Sequence, residues 1–172
     1  MRSPSFFFTA VLILGCALPP ERSAAPARPK ASPVAATSFA TMESRILVLV
    51  NVERARHGLP ELTWNERLDH AARLHALNMA RFKKMAHVLP ESPLPTLTHR
   101  AQHVSYYYSI IAENIAIGFP DAESVVRGWM ASPGHRSSIL SSETVETGTA
   151  VVRSSSGGLY FCQVFGRPRT HI

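Results

Sequence analysis

Residues 112–140 constrain the chain more than any other stretch, because they combine apolar runs with ionisable residues at fixed places. The stretch reads AENIAIGFPDAESVVRGWMASPGHRSSIL. Glu113 stands in an apolar run, and Asp121 is placed to cap a helix that carries Trp129 in its buried stripe. Beyond that helix, a Pro-Gly corner leads directly to His135. The pattern predicts two polar side chains, Glu113 and His135, that are directed at a common place.

Length and composition favour a globular domain with a shorter appendage, since the chain has 172 residues and 45% of them are apolar. Lys and Arg number 18 against 12 Asp and Glu, so the chain is modestly basic. Such an excess suits anionic surfaces, for example phospholipid headgroups or acidic wall polymers. No long Lys/Arg run and no basic strand with interleaved aromatic residues occurs, so nucleic acid is not predicted as a partner.

The first 15 residues are typical of a secretory signal peptide, because a positive charge at Arg2 precedes an apolar run too short to span a bilayer. Residues 13–16, Ile-Leu-Gly-Cys, resemble the lipobox of bacterial lipoproteins. The resemblance implies a diacylglycerol on Cys16, cleavage before it and a firm membrane anchor. The alternative is an ordinary signal peptide cleaved further along, near Ser23. Both interpretations predict an exported protein, and a lipoprotein of the cell envelope is the favoured one.

The rest of the chain divides by composition into a tether, a domain and a tail. Residues 16–40 are rich in Pro, Ala and Ser without a periodic apolar face, which predicts an extended, semi-rigid tether. The folded domain is predicted over residues 41–168, and residues 169–172 form a short tail. Helical spacing predicts a first helix from about Thr41 to Gly58 and a second from about Asn65.

The second half of the domain changes character. Residues 87–105 contain prolines and have no sustained period, which predicts an irregular loop. Two strand signals follow, over residues 145–152 and 159–165, joined by a Gly-containing turn as in a β-hairpin. Alternation in the second strand places Phe161 and Phe165 on one face. Helices that precede a hairpin, and do not alternate with strands, indicate an α+β domain.

Seven short segments along the domain stand in a recognisable order: residues 51–54, 62–64, 72–79, 87, 112–116, 129–136 and 163–165. Their order is similar to that of the CAP superfamily, which comprises cysteine-rich secretory proteins, antigen 5 and pathogenesis-related 1 proteins. Over about residues 42–166 the chain resembles the small bacterial SCP-domain branch of this superfamily. The resemblance implies a three-layer α-β-α sandwich around a small antiparallel sheet. The family's disulfides are not expected, because Cys162 has no cysteine partner except Cys16, which is acylated or removed.

The same resemblance implies a central cavity lined by two histidines and two glutamates. Carried over residue by residue, His87, Glu113 and His135 match cavity positions. Ser132 stands where eukaryotic members have a second glutamate. His75, on the apolar face of the second helix, is predicted as a hydrogen-bonded core residue and not as a ligand.

Two imidazoles and one carboxylate suit Zn²⁺ or another divalent cation, so His87, Glu113 and His135 form a candidate metal site within the resemblance. Neither the His-Glu-x-x-His motif of metalloproteases nor the G-x-S-x-G motif of serine hydrolases occurs in the chain. The favoured interpretation is a non-catalytic envelope protein that binds a lipid, a cell-wall component or a protein partner through the cavity. The alternative is a divalent-metal-dependent envelope hydrolase that uses the same residues.

Overall fold

The computed structural model describes residues 33–170, with side chains from residue 39 onward. The signal peptide and the predicted lipid attachment at Cys16 lie outside these residues. In chain order the described residues form α1 (Pro33–Arg56), β1 (Thr63–Trp64), α2 (Glu66–Phe82), α3 (Leu97–His103), β2 (Tyr108–Ile117), α4 (Ala122–Ala131), α5 (Pro133–Ile139), β3 (Glu146–Arg153) and β4 (Leu159–Pro168). Over the same residues, none of the helices has both the length and the apolar character needed to cross a membrane.

Three helices, α1, α3 and α5, differ from the sequence predictions, and α5 begins at Pro133, where a Pro-Gly corner was predicted. α1 begins at Pro33, before the predicted start at Thr41, so residues 33–40 are helical and not extended. A proline at the first helical position is favourable, because its missing N–H would be unpaired there in any case. α3 lies inside the segment predicted as an irregular loop. The Thr96 side chain caps this helix by accepting a hydrogen bond from His99 N at 3.3 Å.

The described strands form one sheet in the order β1-β3-β4-β2. β4 pairs antiparallel with both β3 and β2, and the β3–β4 pair is the predicted hairpin. β1 pairs in parallel with β3, where Thr63 lies opposite Glu146 and Trp64 opposite Thr147. β2, β4 and β3 thus form the predicted small antiparallel sheet, and the two-residue β1 adds a parallel strand at its edge. Parallel strands such as β1 and β3 are connected by a long crossover segment, so no local hairpin pattern in the sequence predicts their pairing.

Helices cover both faces of the sheet, which confirms the predicted three-layer α-β-α sandwich. On one face, α2 packs Leu68 into an apolar cluster that includes Cys162 of β4. On the other face, α1, α4 and α5 pack on the sheet, and Trp129 of α4 shares a cluster with Phe161 and Phe165. Alternation along β4 thus separates the two layers, as the sequence predicts.

Gly148 of β3 sets how closely α2 approaches the sheet. A Cβ atom at this position would overlap the backbone of Leu68 and Asp69 in α2. Only glycine leaves room for this backbone contact. The approach fixes α2 against the centre of the sheet, and α2 in turn carries His75 toward the predicted cavity.

Arg54 of α1 is almost completely buried, with 1% of its surface exposed. Its guanidinium donates hydrogen bonds to the backbone oxygens of Pro60 at 2.8 Å, Ile139 at 2.7 Å and Ser141 at 2.8 Å. A buried cation needs such acceptors to offset the loss of hydration. Arg54 therefore connects α1 with the chain before β1 and with the end of α5.

Glu43 of α1 is a second buried charge, and it contacts the sheet directly. Its Oε1 atom accepts a hydrogen bond from the backbone nitrogen of Val151 in β3 at 2.8 Å. Arg73 of α2 donates to the same carboxylate at 3.0 Å. β1 covers β3 only at Glu146 and Thr147, so the Glu43 carboxylate takes a backbone donor that a longer neighbouring strand would bind.

Candidate functional site

Glu113 lies in β2, on the face of the sheet that α2 covers. Its register partner in β4 is Val164, which belongs to the apolar cluster under α2, so the Glu113 side chain points into that layer. Only 3% of the side chain is exposed. A carboxylate buried this deeply needs charged or hydrogen-bonding partners within the protein.

Arg100 of α3 is the buried counter-ion of Glu113. Its Nη2 atom donates a hydrogen bond to Glu113 Oε2 at 2.6 Å, and the exposed fraction of the Arg100 side chain is 0%. The same guanidinium lies 3.5 Å from two backbone carbonyls just before α3. The sequence prediction missed Arg100 because the proline-containing segment masks a short helix. Thr96 as a cap, with Leu97 and Ala101 at helical spacing, is the signal that would have indicated it.

His87 binds the other oxygen of the same carboxylate. Its Nδ1 atom lies 2.9 Å from Glu113 Oε1, while 55% of the His87 side chain remains exposed. The hydrogen bond to Glu113 raises the pKa of His87 above its ordinary value. Burial alone would raise the pKa of Glu113, but the His87 hydrogen bond and the positive charge of Arg100 outweigh it and lower the pKa. Glu113 is thus an anion held by a buried cation and an exposed imidazole.

Two further buried groups face the Glu113 carboxylate. His75 Nε2 lies 3.7 Å from Glu113 Oε1, and the His75 ring forms a hydrogen bond with the backbone of Ala86. Burial lowers the pKa of His75 to about 4, so the ring is neutral near pH 7, and the predicted core histidine is confirmed. Cys162 Sγ donates to Glu113 Oε2 at 3.5 Å, and burial raises the pKa of this thiol well above its usual range.

His135 is held near this cluster from the other face of β2. Asn114 Nδ2 donates a hydrogen bond to the backbone oxygen of His135 at 3.0 Å, which fixes the start of α5 to the strand that carries Glu113. Burial lowers the pKa of His135, and the nearby charge of His87 lowers it further. The structure therefore joins His87 to Glu113 directly. His135 comes near His87, and no hydrogen bond of the described residues links its ring to Glu113.

The family model "CAP: Cysteine-rich secretory protein family" matches residues 47–165, which is more than half of the chain. The chain belongs to the CAP family. Two similar proteins come from Bacillus subtilis (strain 168): the "uncharacterized membrane protein YlbC", 32% identical over 125 residues, and the "uncharacterized protein YkwD", 33% identical over 122 residues. These matches cover 73% and 71% of this chain, but 34% and 47% of the two relatives. The chain thus spans between a third and a half of their lengths.

A similar solved structure supports the same CAP fold. It is an extracellular protein containing an SCP domain from Bacillus anthracis strain Ames, with a TM-score of 0.72 and 27% sequence identity. The superposition covers 81% of this chain and 45% of that protein. The predicted family and the α+β sandwich are therefore confirmed, and the relatives include extracellular and membrane proteins.

The residues of this CAP domain do not fit a divalent metal as they stand. Arg100 and His87 contact one oxygen each of the Glu113 carboxylate, so an ion would have to compete with both contacts. Within residues 33–170, no group of three or more His, Cys, Asp or Glu side chains is arranged to hold a metal. Zn²⁺ sites in proteins use three or four such ligands. Metal binding by His87, Glu113 and His135 stays a prediction from the resemblance, and the arrangement itself favours an ion-pair cluster.

Ser132 occupies the corner between α4 and α5. Its backbone nitrogen donates to Trp129 O at 3.1 Å and closes α4, and its side chain makes no capping hydrogen bond to α5. A serine in this place adds no negative charge to the cavity. The only carboxylate that contacts His87 among the described hydrogen bonds is that of Glu113.

A separate cleft of about 690 Å³ opens between α1, α2 and the end of β3. Phe39, Leu77 and Val151 contribute apolar surface, and Arg73 and Arg153 contribute positive charge. The volume lies in the range of small-molecule sites. None of the predicted cavity residues lines this cleft, so it is distinct from the cluster around Glu113.

Proposed function

We propose that this CAP domain is a non-catalytic binding module of the cell envelope. It holds a lipid, a cell-wall component or a protein partner at the surface formed by His87 and His135. The observation that carries the proposal is the position of Glu113, whose carboxylate is bound on one oxygen by Arg100 and on the other by His87. A carboxylate fixed in this way orients an exposed imidazole for hydrogen bonding to a ligand.

The alternative, a divalent-metal-dependent hydrolase that uses His87, Glu113 and His135, would have Glu113 bind the ion together with the two imidazoles. Arg100 and His87 engage both oxygens of Glu113, so the geometry favours binding over this chemistry. Envelope location is supported by relatives that are described as extracellular and as a membrane protein.

The experiment measures binding of the purified full chain, with Cys16→Ser to keep it in solution. The probes are vesicles of anionic phospholipid and purified cell-wall sacculi, and envelope extracts serve for chemical crosslinking of a protein partner. His87→Gln should weaken binding about tenfold or more, because the imidazole that Glu113 orients is lost. His70→Gln is the matched control, since His70 is an exposed histidine on α2 whose ring lies edge-to-face with that of His103.

Binding that is equal in the His87→Gln variant and in wild type would show that the ligand contacts another surface. Absence of binding to vesicles, sacculi and envelope proteins would overturn the proposal as a whole. Lipid extracted from protein purified from its native envelope identifies the ligand class by mass spectrometry.

A further inference from the structure

The cluster around Glu113 contains its own cation. Arg100 is completely buried, and its Nη2 atom lies 2.6 Å from Glu113 Oε2. The family resemblance implies a cavity of histidines and glutamates, which is a donor set that attracts divalent metals. We infer that Arg100 is the residue that decides the ion selectivity of this cavity: its guanidinium neutralises Glu113 and excludes divalent metal ions.

The first argument is geometric. A metal ion that joins Glu113 to His87 needs a carboxylate oxygen with a free lone pair and an imidazole nitrogen that faces the ion. Here the nitrogen of His87 that faces Glu113 is Nδ1, and it already lies 2.9 Å from Oε1 in a direct hydrogen bond. The second oxygen, Oε2, receives Arg100 and the thiol of Cys162 at 3.5 Å. An ion would have to displace the Arg100 guanidinium or break the His87 contact.

The second argument is a count of charge. The groups that face the carboxylate are Arg100, His75, His87 and Cys162, and His135 lies near His87. Glu113 and Arg100 are opposite charges with their atoms 2.6 Å apart, so their charges cancel. A dication beside them would face the guanidinium across a dry interior, where repulsion between like charges is screened poorly. Without Arg100, the same pocket would hold one unpaired carboxylate beside imidazoles, which is the charge pattern of a metal site.

The third argument is that Arg100 cannot move aside easily. The same guanidinium lies 3.5 Å from the backbone oxygens of Leu94 and Pro95, so three acceptors surround it. Displacement would leave a cation buried at 0% exposure without its counter-ion. The inference concerns the ion that accompanies Glu113, and it does not depend on the ligand proposed for the His87 surface.

The test is a Zn²⁺ titration of untagged full chain, carrying Cys16→Ser, followed by calorimetry and by the NMR signals of the His87 ring. The ring signals are needed because exposed histidines elsewhere, such as His70 and His103, could take up Zn²⁺ on their own. Wild type should show no saturable change at His87. Arg100→Gln should bind Zn²⁺ at least about tenfold more tightly, with His87 signals that move, and this gain should vanish in Arg100→Gln/Glu113→Gln.

Arg100→Lys separates charge from shape, since it keeps the cation and should gain no Zn²⁺ binding. Saturable Zn²⁺ binding by wild type that moves the His87 signals and is lost in Glu113→Gln would overturn the inference. A folded Arg100→Gln variant that gains no affinity would overturn it equally. If Arg100→Gln does not fold, the wild-type titration decides alone: unmoved His87 signals support the inference, and saturable movement overturns it.

Discussion

Arg100 donates a hydrogen bond of 2.6 Å to Glu113 between two side chains that are 0% and 3% exposed. A buried pair of this kind contributes little net stability when both partners are present, because the loss of hydration offsets the attraction. Removal of one partner is costly, since the remaining charge stays buried without compensation. The pair therefore specifies the arrangement of α3 against β2 more than it adds stability.

The first prediction follows from this asymmetry. Glu113→Gln should lower the free energy of unfolding by about 3 to 5 kcal/mol, because Arg100 loses its counter-ion. Glu113→Leu combined with Arg100→Met should recover most of the loss, since no charge is then left in the interior. Urea unfolding of the single and double variants measures the difference. A single variant that loses less than about 1 kcal/mol would contradict the buried ion pair.

The second prediction concerns pH and His87. Its pKa is raised in the folded state by the hydrogen bond to Glu113, so its contribution is fully present below about pH 6.5 and is lost as pH rises through the folded pKa. The free energy lost on His87→Gln should therefore be larger at about pH 5.5 than at about pH 9. Urea unfolding at the two pH values measures it. Arg100, His75 and His135 also face or approach this ring. Wild type and the His87→Gln variant must therefore differ at residue 87 alone, and each is measured at both pH values.

His135→Gln is the control, because its effect on the free energy of unfolding at low pH should be opposite to that of His87→Gln. The pKa of His135 is lowered in the folded state by burial and by His87, so protonation favours the unfolded chain as pH falls. Replacement should therefore stabilise the domain relative to wild type at about pH 5.5 and change little at about pH 9. Equal pH profiles for the two variants would show that at least one of the two rings is not perturbed as described.

Two glycines offer a matched pair for the third prediction. Gly148→Ala should destabilise the domain by about 3 kcal/mol, because its Cβ would overlap the α2 backbone at Leu68 and Asp69. Gly134→Ala, at a position with no atom within 4 Å of the new Cβ, should be neutral or stabilise α5 by up to about 1 kcal/mol. Thermal and urea unfolding compare them. Similar losses in both variants would contradict the close approach of α2 to β3.

The sequence predicted the parts of the fold that local patterns determine. Asn65 caps α2 by accepting hydrogen bonds from the backbone nitrogens of Arg67 and Leu68, as its place before an apolar helix suggests. The alternation of Phe161 and Phe165 along β4 and the buried stripe of α4 that ends at Trp129 are equally local, and the structure has both.

Other parts of the fold depend on contacts between residues far apart in the chain, and local sequence patterns do not predict such contacts. β1 is only two residues long and pairs with residues 146–147. The burial of Arg54 depends on backbone oxygens of Ile139 and Ser141, more than 80 positions away. Arg100 was hidden for a different reason: α3 has only seven residues and directly follows a proline-containing segment, so its apolar spacing alone is too short to indicate a helix. The cavity residues themselves came from family resemblance, since His87, Glu113 and His135 share no local spacing.

The fourth prediction concerns Cys16, which lies outside the described residues. If the lipobox resemblance is correct, Cys16→Ser should move the protein from the membrane fraction to the soluble fraction, because the acyl chains supply the anchor. Cys162→Ser is the control and should remain with membranes, since Cys162 is buried beside Glu113. Unchanged fractionation of the Cys16 variant would remove the lipoprotein interpretation and leave ordinary signal cleavage.

Glu43 has a consequence that concerns assembly. Its carboxylate occupies the backbone donor of Val151 at the part of β3 that β1 does not reach. Exposed donors along a strand edge recruit strands from other molecules and lead to polymerisation. While α1 packs on the sheet, the Val151 N–H is already bound to Glu43 and is not available to a strand of a second copy of the chain. One acidic side chain on a helix thus leaves this edge of the sheet with one fewer open backbone donor for ordered self-association.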